Sequence, residues 1–158
     1  MQGALYIIPF SDVAVTAAQD LFEVAAAASR PLKLHEAKVT QRSDAGDSEA
    51  EMLRFAFKRG VGITSGSGGS SPTEVPLNSD APSFAGTSEA NNTTQAVAGG
   101  GTLTTMWEEA AHVANGLHYL PAPEHRPVFK DDETFILALE TAPADSLTMS
   151  GHLLVEEM

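Results

Sequence analysis

Thr134-Phe135-Ile136-Leu137-Ala138-Leu139, the turn Pro143-Ala144-Asp145-Ser146, and then Leu147-Thr148-Met149-Ser150-Gly151-His152-Leu153-Leu154-Val155 decide the fold class. The first stretch is short and apolar on both parities, as a strand covered on both faces should be. In the second, Leu147, Met149, Gly151, Leu153 and Val155 share one parity and Thr148, Ser150 and His152 the other, with Leu154 out of pattern. A period of two over this length predicts a long strand with one buried face. Glu156-Glu157-Met158 follow at once, so the end of the strand is expected to pair within a sheet.

The same alternation appears upstream. In Glu51-Met52-Leu53-Arg54-Phe55-Ala56-Phe57-Lys58, Leu53, Phe55 and Phe57 share a side opposite Arg54 and Lys58, which predicts a half-buried strand. Leu32 and Leu34 share a face, but Ala37 and Val39 have the other parity, so a bulge is expected near His35 and Glu36. The polar segment 41–48 between them, with Gly46, reads as a turn joining two neighbouring antiparallel strands. Asp20-Leu21-Phe22-Glu23-Val24 reads as a further strand, although Ala25 to Ala28 equally permits a short helix. Around Asn115-Gly116, a hairpin signal, strand-turn-strand is favoured over two turns of helix from Trp107. Pro121, Pro123 and Pro127 exclude a regular ladder around Glu124-His125-Arg126.

Large apolar side chains concentrate in residues 1–59 and 102–158, whereas 60–101 is rich in Gly, Ser, Thr, Pro and Asn. Short strands, frequent turn residues and no repeated βα alternation predict a mainly-β single domain over residues 1–158. The expected form is a jelly-roll-like antiparallel β-sandwich with one long irregular loop at about 60–101.

Charge and composition narrow the function classes. With 21 acids against 9 bases the formal charge is -12, a field that repels phosphate backbones and anionic headgroups, so neither nucleic acid nor membrane is an expected partner. Cysteine is absent, which removes disulfides and thiolate metal sites. The start, Met1-Gln2-Gly3-Ala4-Leu5-Tyr6-Ile7-Ile8-Pro9, has no basic n-region, and no apolar run approaches the roughly 18 residues of a spanning helix, so a soluble protein without a signal peptide is expected.

The patterns that carry chemistry are missing. His35 with Glu36, and Glu124 with His125, are the tight His-carboxylate neighbours; adjacent strand residues point to opposite faces, so no metal or other cofactor is expected. There is no Gly-x-Ser-x-Gly elbow, no Lys between Lys58 and Lys130 for a phosphate loop, and no His-x-His followed closely by Glu. The expectation is a protein that is not an enzyme.

What remains is the 60–101 excursion, which carries apolar residues among small ones. Isolated apolar side chains in a long loop gain by finding cover in their own domain or on a neighbour. Ser65, Ser67, Val75, Leu77, Phe84 and Val97 are therefore the candidate protein-contact residues.

The run Gly60-Val61-Gly62-Ile63-Thr64-Ser65-Gly66-Ser67-Gly68-Gly69, the Pro123-Glu124-His125-Arg126-Pro127 turn, and the pairing of 135–139 with 150–157 resemble small tailed-phage and prophage virion proteins. Members often place Pro-Gly where this chain has Asp131-Asp132, which leaves the register there open. The resemblance, over about residues 50–158, implies a capsid decoration or cement protein on the virion exterior, assembled in the host cytoplasm. It also implies contacts with the major capsid or other virion proteins and a homo-oligomer, with a trimer favoured. The expected contact elements are the 60–101 loop and the N-terminal segment. A tail-associated receptor- or glycan-binding module is the alternative, against which the scarcity of aromatics (Trp107, Tyr6, Tyr119 and seven Phe) counts. A metal-assisted hydrolase built on His118, His125 and Glu124 is a third reading.

Overall fold

Alternation in β4 (Met52–Val61) buries Leu53, Phe55 and Phe57 and leaves Arg54 exposed. The computed structural model describes residues 3–43 and 51–158. Ten further strands accompany β4: β1 (Ala4–Val15), β2 (Gln19–Ala25), β3 (Leu32–Gln41), β5 (Val75–Pro76), β6 (Thr87–Asn92), β7 (Thr102–His112), β8 (Leu117–Tyr119), β9 (Val128–Phe129), β10 (Glu133–Leu139) and β11 (Leu147–Glu157). Among the described residues the helical content is one 3₁₀ turn, Pro123–His125, where the prolines interrupt the ladder as expected.

Two antiparallel sheets form. The β11 sheet has the order β5-β1-β11-β3-β8, with β9 also on β3; the β10 sheet has the order β6-β2-β10-β4-β7. Without the short additions β5, β6 and β9, the first sheet holds the first, last, third and sixth strands. The second holds the second, seventh, fourth and fifth. This is the jelly-roll arrangement of a β-sandwich, as the alternation predicted. Tyr6, Phe22, Phe55, Phe57, Phe129 and Phe135 are fully buried between the layers. Phe57 stacks on Trp107 at 4.6 Å and meets Tyr119 at 4.9 Å, so one aromatic run ties β4, β7 and β8 together.

Two pairings differ from expectation. β3 and β4 are not neighbours: β3 pairs with β11 and β8, and β4 with β10 and β7. Alternation tells which face of a strand is buried, not which strand lies beside it, and β3 and β4 stand in different sheets. Most of the turn expected over 41–48 lies outside the described residues. At Asn115-Gly116 the chain does turn: His112 O accepts both N–H groups, and Gly116 takes φ +66°. The flanking strands, however, join opposite sheets, β7 on β4 and β8 on β3, so this is a corner and not a hairpin. Asp132 adopts φ +64°, a left-handed conformation that Asp tolerates better than most residues.

The bulge falls where the parity break placed it. Leu154 pairs with Glu36 and Val155 with Leu34, leaving His35 as the extra residue. β2 is a strand, not a helix, and Glu156 and Glu157 stay in register with β1 and β3.

Candidate interaction surface

The outer face of the β10 sheet is covered by the chain itself. Residues 62–70 run out across it and 90–101 run back, bridged at Thr64–Val97, Ser67–Thr94 and Ser70–Ala90. Ile63 and Ala96 of this ribbon pack on Ala56, Ile136 and Ala138, which is why β10 is apolar on both parities. The long irregular excursion expected over about 60–101 thus folds back on its own domain, tied across itself by these isolated bridges. It extends the β10 sheet by β6 on β2 and the β11 sheet by β5 on β1.

Two buried carboxylates hold the cover down. Asp20 Oδ2 accepts from Ala96 N at 2.6 Å, and Glu23 Oε2 accepts from Gly66 N at 2.9 Å and Asn92 Nδ2 at 3.2 Å. Burial pushes the Asp20 carboxyl up to about 6, against the pull of the Ala96 hydrogen bond and of Lys58. The middle of the excursion is held at the sandwich end: Tyr6 Oη donates to Pro82 O at 2.8 Å, Phe84 packs edge-on against Tyr6, and Glu157 Oε1 accepts from Ala85 N and Gly86 N. Burial, and then the Glu157 charge, raise the Tyr6 phenol above its ordinary value.

The outer face of the β11 sheet has no such cover among the described residues. Cross-strand register aligns Val75, Ile7, Leu154 and Glu36 in one row, Leu5, Glu156 and Lys33 in the next, and Pro9, His152, Lys38 and His118 in a third. An apolar strip of Leu5, Ile7, Pro9, Leu154, Val75 and Leu77 therefore borders a polar half. Val75 and Leu77 are 47% and 54% exposed.

The polar half is organised by the bulge. With His35 inserted, both His35 and Glu36 reach partners on the outer face, so the rule that adjacent strand residues diverge fails here. Arg126 Nη1 donates to His35 Nδ1 at 2.8 Å, and His35 Nε2 then donates to Glu156 Oε2 at 2.8 Å. Glu156 also accepts from Lys33 Nζ and Gly3 N. Burial would raise its carboxyl, but the bonds from His35, Gly3 and Lys33 outweigh this and hold it below the ordinary value. Glu36 Oε1 lies 2.8 Å from His118 Nε2 and 3.6 Å from His152 Nε2.

The six candidate contact residues divide between the two sides. Val75 and Leu77 join the N-terminal strand on the open face, as Ile7 pairs with Val75 and Leu77 N donates to Leu5 O. Phe84 is tucked against Tyr6 and the core. Ser65, Ser67 and Val97 are exposed on the ribbon over the other sheet, so they do not meet Val75 and Leu77. Glu124 and His125 sit exposed on the 3₁₀ turn, and His118 is engaged by Glu36. Among the described residues no group of three His, Asp or Glu is placed to hold a metal ion. The Glu36 and Glu156 networks escaped the sequence reading because they depend on cross-strand register; the predicted bulge was the signal that could have found them.

Comparison with known protein families, with curated proteins and with solved structures returns no match. The functional reading therefore rests on the geometry described above.

Proposed function

We propose that this chain is a structural virion protein of the capsid decoration or cement type, which works by binding neighbouring protein subunits. One observation carries the reading: the chain covers one outer sheet face with its own ribbon and leaves an apolar strip open on the other. The strip joins Val75 and Leu77 to β1, the two elements expected to make contacts. A face of this kind can bury area against a neighbour without needing a cleft. The resemblance to phage virion proteins supplies the particle, and the charge of -12 suits the exterior, away from packaged nucleic acid. A trimer of the chain is part of the proposal.

Support for a sugar-stacking module is weaker, because Tyr6 is fully buried and Trp107 and Tyr119 pack on Phe57. The test is co-sedimentation of purified chain with particles assembled without it, alongside analytical ultracentrifugation of the chain alone. Wild-type chain should sediment with the particles, and Ile7→Asp should reduce the bound fraction at least tenfold. Failure of the wild-type chain to sediment with them overturns the proposal.

A further inference from the structure

The open face contains a shallow cavity of about 410 Å³ lined by Ile7, Pro9, Lys38, Thr40, Ser150 and His152, within the roughly 300–1,000 Å³ usual for ligand sites. Its chemistry is unusual for this chain. Arg30, Lys33, Arg42, Arg54, Lys58 and Arg59 each meet a carboxylate, and Arg126 donates to His35. Among the described residues Lys38 and Lys130 are the cations left without such a partner, and Lys38 stands on the central strand register between His118 and His152.

Lys38 is not neutralised by its own face, although two carboxylates lie on it. Glu36 is taken by His118 and His152, and Glu156 by His35, Lys33 and Gly3 N. Ser150, which lines the same cavity, accepts from Asp12 N at its Oγ. Ile7 and Pro9 form an apolar wall continuous with the strip.

We propose that this cavity is a socket for a carboxylate side chain of the partner protein, an Asp or Glu carried between apolar residues; this rests on the assembly reading above. One ammonium beside one imidazole suits a singly charged group, and the nearby Glu36 carboxylate disfavours a dianion such as phosphate. The wall and strip require that the anion arrive on an apolar segment. A second copy docking face to face cannot supply it, since the acids of that face are already bound. Charge complementarity on a partly desolvated sheet then sets which neighbour binds and in what register, more than how tightly.

The socket is tested by nuclear magnetic resonance titration of the intact chain with acetyl-Leu-Glu-Leu-amide and acetyl-Leu-Gln-Leu-amide, with glucuronate as a free small carboxylate. The Glu peptide should bind at least tenfold more tightly than the Gln peptide, with shifts confined to the cavity residues. Lys38→Gln, with an otherwise unchanged spectrum, should bring the two peptides within about twofold, and Lys38→Arg should restore most of the difference. Equal binding of the two peptides, or a preference that survives Lys38→Gln, overturns the socket. Tighter binding of glucuronate than of the Glu peptide also overturns it, as does self-association of the isolated chain that Lys38→Gln abolishes. Peptide discrimination lost while Ile7→Asp still prevents particle binding refutes the socket alone. Discrimination kept while the wild-type chain ignores particles refutes the assembly reading alone.

Discussion

Asp20 Oδ2 accepts the backbone N–H of Ala96 at 2.6 Å, beneath the ribbon and 1% exposed at Asp20. A carboxylate in that position gains a strong hydrogen bond and loses its hydration. The second effect wins: the group titrates at about 6 instead of 3.8. The folded chain then binds this proton more tightly than the unfolded chain. Its contribution to stability is fully present below the unfolded value and is lost as pH rises through about 6. A shift of this size corresponds to roughly 3 kcal/mol. Asp20→Asn keeps an acceptor for Ala96 and removes the buried charge. Its urea midpoint at pH 8 should exceed that of the wild type, and the fall in stability between pH 4 and 6 should flatten.

Glu156 has the opposite sign. Its depressed carboxyl contributes stability above the unfolded value, and that contribution is lost as pH falls through the folded one. Glu156→Gln should cost about 1.5–3 kcal/mol at pH 7, the range of hydrogen bonds to a charged group. The difference from wild type should close as pH approaches 3, measured by thermal melts across the range.

Where the ribbon rejoins β7, Gly101 leaves no room for a side chain. A Cβ there would lie 2.1 Å from Val61 O and 2.3 Å from Gly62 O, whereas at Gly100 it would meet nothing within 4 Å. Gly101→Ala should therefore lower the melting temperature by several degrees and raise amide exchange across 62–70. Gly100→Ala should leave both unchanged within error.

Phe57 is buried at the meeting point of Trp107, Tyr119 and Phe135. Truncation to Ala removes the shared contact of both layers and should cost about 3–5 kcal/mol by denaturant unfolding. Because Trp107 is the single tryptophan and stacks on this ring, its emission should also change in the folded variant.

Strand identity was legible because burial has a period of two in β4 and β11, whereas β10, short and apolar on both parities, read as a strand covered on both faces. Neighbour identity was less so, since Leu32–Val39 and Leu53–Phe57 carry the same kind of pattern whether they pair with each other or with β11 and β10. The excursion was legible as a long irregular segment whose apolar residues need cover, but which surface provides it was not. Ile63 and Ala96 are too few to signal a buried layer, yet Ile136 and Ala138 on the outer parity of β10 required something to cover them. On the open face, Val75 and Leu77 could be picked out as apolar residues in a polar stretch, but their joining to Ile7 and Leu5 is a matter of register.

The inserted residue at His35 acts as a phase shift within β3. Upstream of it Leu32 and Leu34 face the core and Lys33 faces out; downstream Ala37 and Val39 face the core and Lys38 faces out. Deleting that one residue would leave an unbroken alternation, with Leu32, Leu34, Ala37 and Val39 inward and Lys33, Glu36 and Lys38 outward, but would remove the imidazole that stands between Arg126 and Glu156. A change of a single codon would thus straighten the strand and uncouple Arg126 from Glu156 while leaving both lysines facing outward.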